Sequence, residues 1–169
     1  MPSLDLGSGN NPQPGYIHME RFLDRVHPMM PDVIGDGFKL PFICESFDSV
    51  LMFGVFEHFG YFEVQEVLHE IIRVLKIGGS FKFDVPDFDW FIDAYQGKIK
   101  LDPVRTEAWI MQAFYGGQDG PGMYHRWGWN EKRMRDFLSK PNWNFSSFNL
   151  VGRQWRDPEP NHLIWECVK

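Results

Sequence analysis

The sequence predicts an α/β domain: a mostly parallel sheet with helices on both faces, closed by an antiparallel hairpin. Three stretches predict it. SLDL at 3–6 is a short apolar strand that runs directly into the glycine turn GSG at 7–9. FDSVLMF at 47–53, an amphipathic stretch from Phe62 to Leu75, and SFKFDV at 80–85 follow one another as strand, helix and strand. Such a unit requires parallel strands and a right-handed crossover. FSSFNLVG at 145–152 and HLIWECV at 162–168 are two late strand patterns joined by polar chain, expected to pair antiparallel at a sheet edge. Ligands of open α/β sheets bind beyond the C-terminal ends of the strands.

Each remaining element follows from local pattern. YIHM at 16–19 is the second strand candidate, ending at Glu20, and residues 21–35 carry little periodicity and two prolines. FDSVLMF is nearly continuous in apolar character, the signature of a strand buried on both faces. Val64, Val67, Leu68, Ile71, Ile72 and Leu75 recur at spacings of three and four, a helical stripe. Gly78 and Gly79 are expected to end that helix as a C-cap. Asp87 can cap a short helix through Tyr95 that carries Phe88, Phe91 and Ile92. Asp102 followed by Pro103 predicts a helix start, running to about Tyr115 before Gly116 and Gly117. Asn130 caps a last helix with Met134, Phe137 and Leu138 facing inward, ended by Pro141.

At 169 residues the chain is expected to form a single domain, residues 1–169. Apolar residues make up 43% and aromatics 17%, which excludes a disordered chain. A formal charge of −6 argues against a general nucleic-acid backbone binder, which needs a basic face to replace counterions. Cys44 and Cys167 lie far apart without metal-ligand spacing and are expected to be reduced, the state of a cytoplasmic protein. No apolar run reaches 18 residues and the first strand starts at Ser3, so neither a membrane span nor a signal peptide is expected.

The glycine turn carries the first chemistry. Gly7 and Gly9 leave no side chain between backbone and ligand, and N–H groups exposed at such a turn suit an anion, a carboxylate or a ribose edge. Glu20, at the end of the second strand, can accept both hydroxyls of a ribose. A pyrophosphate fingerprint wants G-x-G-x-x-G entering a helix, whose first N–H groups receive the phosphates. Here Pro12 stands at the third glycine position, Pro14 follows, and no long helix fits before Tyr16. A dinucleotide is therefore disfavoured, and a nucleoside cofactor without phosphates suits the short loop better.

Four segments in order resemble the class I S-adenosylmethionine-dependent methyltransferases, in particular small members with an abbreviated first connector. LDLGSG at 4–9 resembles the glycine-rich first motif, and the resemblance assigns Asp5, Gly7, Ser8 and Gly9 to the cofactor. GYIHME at 15–20 matches the acidic position after strand two, so Glu20 would take the ribose hydroxyls. GDGFKLPFICESFDSVLMFGVFEHF at 35–59 places Asp36 and Gly37 at the adenine edge, and Phe53 and Gly54 where the fourth strand opens toward the cofactor. VLHEIIRVLKIGGSFKFDVPD at 67–87 resembles the helix, turn and fifth strand that follow. The likeness covers residues 3–90 and implies a Rossmann-like three-layer sandwich, its sheet seven-stranded, or six if an edge strand is lost. It also implies transfer of a methyl group to an acceptor. The helix between strands one and two and an N-terminal helical cover are both missing from the pattern. Another segment, or a second subunit in a homodimer, would have to complete the cofactor cover.

On the acceptor side, His58 follows strand four at the ligand-binding end and has the ring chemistry of a base near neutrality. The competing reading is a structural histidine at a helix start. His125 belongs to PGMYHRWGWN at 121–130, which is read as an aromatic lid over the pocket, as hydrophobic cover for the sheet edge, or as part of a dimer contact. Within that reading Tyr124 and Trp127 would contact the acceptor, as would Asp87, whose alternative is the helix cap named above. His18, His27, His58, His69 and His125 show no HExxH or equivalent spacing, so no metal is expected. His69 and Glu70 are expected on a solvated helix face. Trp155 in RQWRD could stack on a base, but the stretch is too short for a nucleic-acid patch.

The expected substrate is a small-molecule or sugar-like acceptor. GVFEHF stands where amino-methylating enzymes of bases carry an N-P-P-aromatic motif, which disfavours nucleic acid. A protein or nucleic-acid methyltransferase and a binding-only scaffold remain the alternatives. The scaffold predicts a shallow or blocked groove beside Gly7 and Glu20, or a bound cofactor with no adjoining acceptor pocket.

Overall fold

The computed structural model describes residues 2–9, 11–21, 30–154 and 159–169. Its elements are β1 (Ser3–Leu6), β2 (Ile17–Glu20), β3 (Val33–Ile34), β4 (Phe47–Met52), α1 (Glu63–Val74), β5 (Leu75–Pro86), α2 (Phe88–Tyr95), α3 (Glu107–Tyr115), α4 (Glu131–Leu138), β6 (Ser147–Gly152) and β7 (His162–Val168). Short 3-10 turns occupy Phe56–His58 and Pro141–Trp143. The seven strands form one sheet in the order β3-β2-β1-β4-β5-β7-β6. All pairings are parallel except β5 with β7 and β7 with β6, so the predicted closing hairpin is present.

Strand register explains where the core sits, because directly paired residues point to the same side. Ile17, Leu4, Val50, Phe81, Cys167 and Phe148 stand in one row across the sheet. That face is covered by α1 through Val64, Val67, Leu68 and Ile71, and by α4 through Met134, Phe137 and Leu138, all buried in one cluster. The next row reads His18, Asp5, Leu51, Lys82, Glu166 and Asn149. FDSVLMF therefore alternates: Phe47, Val50 and Met52 are buried, whereas Ser49 and Leu51 are only half-buried.

Two helix boundaries differ from the sequence pattern. Gly78 and Gly79 do not cap α1; Leu75 turns extended after Val74 and pairs with Phe47. The glycines instead lie in a bulge of β5, held to the C-terminus by Gly78 N–H donating to the Lys169 carbonyl at 2.9 Å. α3 starts at Thr106, whose hydroxyl accepts from Trp109 N–H, because Asp102 is spent on a turn, accepting from Val104 N–H at 3.0 Å. Asp87 and Asn130 cap α2 and α4 as expected. α2 and α3 pack on each other through Phe91, Ala94 and Ile110 in a second, smaller cluster beyond the end of β5.

His69 is exposed as expected, whereas Glu70 is half-buried. His69 packs on Trp143, and Glu70 accepts from Leu40 N–H at 2.8 Å and pairs with Arg73. Glu70 is covered because the chain from Leu40 to Phe42 returns across it, its carbonyls held by Arg73.

Candidate functional site

The site begins at the end of β1. Gly7 has φ +71°, and a Cβ built there would overlap the Val55 methyl group, so only glycine lets this turn lie against the loop after β4. Gly7 N–H donates to the Met19 carbonyl at 2.9 Å, tying the turn to β2. Asp5, buried, accepts from Gln13 N–H at 3.0 Å and so closes the abbreviated connector over its own root. At the end of β2, Glu20 Oε1 accepts from Gly9 N–H at 2.6 Å and from the Ser8 hydroxyl at 3.2 Å. A carboxylate thus stands against the glycine turn, and a Cβ at Gly9 would meet nothing within 4 Å. An open cradle beside a charged acceptor fits the ribose and methionine portions of S-adenosylmethionine.

The other cofactor candidates surround this turn unevenly. Asp36 accepts from Phe38 N–H at 3.1 Å and pairs with Arg21 at 3.2 Å. Gly37 packs toward Phe59 and Val67. Phe53 is half-buried after β4, and Gly54 N–H donates to Asp84 Oδ1 at 2.6 Å. Asp84, fully buried on β5, is what fixes this loop, and nothing in the linear pattern of SFKFDVP marks it.

The candidate acceptor residues are brought together from two distant segments. The 3-10 turn Phe56–His58 meets the chain from Met123 to Arg126 in a backbone clamp. Arg126 N–H donates to the Glu57 carbonyl at 2.9 Å, His58 Nδ1 bonds the Tyr124 carbonyl at 3.0 Å, and His125 N–H donates to the Tyr115 carbonyl at 3.1 Å. His125 Nδ1 bonds the Ala113 carbonyl at 2.8 Å. The two imidazoles stand edge to face with centroids 4.9 Å apart, and His125 Nε2 lies 3.8 Å from Glu57 Oε1. Burial lowers the proton affinity of both histidines, and hydrogen bonds to backbone carbonyls, of Tyr124 and Gly54 for His58 and of Ala113 for His125, partly offset it.

Glu57 is the residue sequence reasoning passed over. It is 4% exposed, its Oε2 has no hydrogen-bond partner among the described residues, and burial pushes its carboxyl up to about 7. The available signal was a carboxylate inside the apolar run GVFEHF, a placement that costs free energy unless something compensates it.

These groups line a cavity of about 350 Å³ whose walls include Gly54, Glu57, His58, Trp109, His125 and His162. His162 Nε2 lies 3.8 Å from Asp84 Oδ2, and Asn161 beside it is also buried, so the hairpin contributes residues that the sequence pattern did not nominate. A second cavity of about 10 Å³, the room of one water molecule, lies behind Glu57 and His125 against Trp129.

The side chains of 121–130 lie in different surroundings. Met123 and His125 face the larger cavity. Trp129 is core, packed on Phe56 and Phe137, and Trp127 leans on Tyr61 with centroids 5.1 Å apart. Tyr124 is exposed and reaches the site through its carbonyl, and Arg126 pairs with Glu63. Asp87 is held by Asp89 N–H and by Arg153 at 3.0 Å, so its carboxylate serves the α2 cap and the hairpin rather than the cavity walls. His27 and Trp155 lie outside the described residues.

Gly116 controls this clamp. With φ +78°, a Cβ there would fall inside the Met123 carbonyl oxygen. Gly116→Ala is expected to destabilise the fold by roughly 2–3 kcal/mol and to release His125, while S-adenosylmethionine binding at β1 and β2 persists. Thermal unfolding together with a cofactor titration checks this.

Comparison with known proteins agrees with the geometry. Residues 4–83 match the family model described as a methyltransferase domain. A SAM-dependent methyltransferase from Thermotoga maritima, described as a possible histamine N-methyltransferase, superposes with a TM-score of 0.63 at 16% identity, over 99% of this chain and 82% of that one. A SAM-dependent methyltransferase from Archaeoglobus fulgidus gives 0.61 at 12% identity, over 99% of this chain and 85% of that one. A demethylmenaquinone methyltransferase from Streptomyces griseus is 43% identical over 56 residues, 31% of this chain and 22% of its own length. The chain has the class I S-adenosylmethionine-dependent methyltransferase fold, and its residues 4–83 match the methyltransferase domain.

Proposed function

We propose that the protein transfers a methyl group from S-adenosylmethionine to a small-molecule or sugar-like acceptor by in-line displacement. The observation that carries this is the cavity of about 350 Å³ beside Gly54, into which Glu57, His58 and His125 converge. A binding-only scaffold would need no such cavity beside Gly54.

The bound cofactor supplies the electrophilic methyl group. Glu20 would hold the ribose, Gly7, Ser8 and Gly9 the methionine portion, Asp36 and Gly37 the adenine edge, and Phe53 and Gly54 the floor between cofactor and acceptor. On the acceptor side the chain's task is orientation and proton acceptance. His125 and His58, with Nδ1 on a carbonyl, present a ring nitrogen that can take a proton, and Glu57 stabilises the resulting cation. Their low proton affinity suits a base that must be neutral before it acts.

The reading includes a cytoplasmic protein, supported by the two free thiols Cys44 and Cys167, and a homodimer that completes the cofactor cover. No helix among the described residues is long and apolar enough to cross a membrane. Calorimetric titration with S-adenosylmethionine and its demethylated product is expected to show one site per chain. Absence of heat and of thermal stabilisation at millimolar ligand would refute the cofactor reading. An acceptor panel then reports turnover, with protein and nucleic-acid substrates as the outcomes that would redirect it.

A further inference from the structure

We infer that Glu57, His58 and His125 form a binding site for a first-row divalent metal ion of the zinc class, opening into the acceptor cavity. One ligand atom from each lies within 4.8 Å of the others. Zinc bonds to nitrogen and oxygen are about 2.0–2.2 Å, which places tetrahedral ligands about 3.4 Å apart. Small side-chain rotations close that difference.

Three independent features make this a built site rather than a chance cluster. First, His58 and His125 each spend Nδ1 on a backbone carbonyl, at 3.0 Å and 2.8 Å. For His125 that bond fixes the tautomer and leaves Nε2 as the lone-pair donor, the usual arrangement of a metal-bound histidine. The His58 ring, which also contacts the Gly54 carbonyl, belongs to the same cluster. Second, the Glu57 carboxylate is buried with Oε2 lacking a hydrogen-bond partner among the described residues. A cation compensates such a charge better than anything else in the cavity. Third, His125 Nε2 and Glu57 Oε1 face each other at 3.8 Å, too far for a hydrogen bond.

Two imidazoles and one carboxylate are the ligand set of open zinc sites, which keep a fourth position for water or substrate. Here the fourth position faces the cavity lined by Trp109, Gln112 and Met123. The acceptor class follows: a molecule with an oxygen, sulfur or nitrogen that binds the cation and whose proton is made more acidic by it. This role rests on the acceptor-cavity reading, whereas the binding of the metal does not. The linear sequence conceals the site because its ligands come from segments 67 residues apart, outside any spacing motif.

The full chain, stripped by chelator, is titrated calorimetrically with zinc(II) in the absence of S-adenosylmethionine. One ion per chain is expected, with micromolar or tighter affinity and a raised unfolding temperature. Cobalt(II) should give the intense visible absorption of a four-coordinate ion; a weak six-coordinate spectrum would overturn the zinc-class assignment. Glu57→Gln and His125→Gln, close in shape to the native residues, should each weaken zinc binding at least tenfold. No zinc binding, or binding unchanged in both variants, overturns the site. The same preparations are titrated with S-adenosylmethionine, so loss of the cofactor reading and loss of the metal site register separately.

Discussion

Glu20→Ala is expected to weaken S-adenosylmethionine binding by about 2–4 kcal/mol, the scale of hydrogen bonds to a charged acceptor, or about 30- to 1,000-fold in Kd. Glu20 ends β2 beside the glycine turn, and its Oε1 accepts from both Gly9 N–H and the Ser8 hydroxyl. The substitution therefore removes the group placed for the ribose hydroxyls and also frees part of the turn. Glu20→Gln separates the two effects. An amide oxygen still accepts from Gly9, so the turn persists, but the negative charge and one acceptor are gone. Intermediate affinity with an unchanged unfolding temperature is expected for Glu20→Gln. Wild-type affinity in both variants would remove Glu20 from the cofactor site. Affinity lost in step with stability would make it a structural residue of the turn.

Glu57→Gln is expected to make the metal-free protein more stable than wild type at pH 8, by about 3 kcal/mol from a shift of this size. Burial raises the folded-state carboxyl from 4.5 to about 7. The folded protein thus holds this proton more tightly than the unfolded chain does. The stabilisation tied to it is fully present below pH 4.5 and is lost as pH rises through about 7. Glutamine does not titrate, so the advantage of the variant should grow across that window and vanish near pH 4.5. His58 and His125 run the opposite way. Their folded-state proton affinities are lowered, so their contribution is present above pH 6.5 and lost on acidification. Subtracting the two pH profiles gives the contribution of Glu57 together with its coupling to the neighbouring His125. A constant difference between wild type and variant from pH 4.5 to 8 would contradict the burial of an uncompensated carboxylate. Zinc should reverse the order, stabilising wild type at pH 8 and leaving Glu57→Gln nearly unchanged.

The cavity beside Gly54 is held by one clamp. Glu57 and Arg126 share a backbone hydrogen bond, His58 reaches Tyr124, and His125 reaches both Tyr115 and Ala113. A substitution anywhere in this lattice is expected to act on acceptor binding before it acts on the cofactor. The cofactor turn is held separately by Asp5, Met19 and Glu20.

The sequence alone determined the strands and the glycine turn of the candidate cofactor site, because local chemistry suffices there. A strand, a glycine turn too short for a phosphate-binding helix and an acidic strand end all lie within residues 3–20, and the strand–helix–strand unit has a single allowed hand. Helix caps at Asp87 and Asn130 were legible for the same reason, as were the inward faces of α1 and α4. Boundaries failed where tertiary pairing outbid local signals: Leu75 left the helix to join Phe47, and Asp102 was taken by a turn. Only the tertiary structure decided that Trp129 is core, that Asp87 also pairs with Arg153, and that Glu57 faces His125. The physical reason is that each of these depends on which distant segment fills the space beside a side chain. Residues 57 and 125 meet because Gly116 lets the chain fold back against Tyr115 and Ala113, and no periodicity or spacing in either segment encodes that encounter.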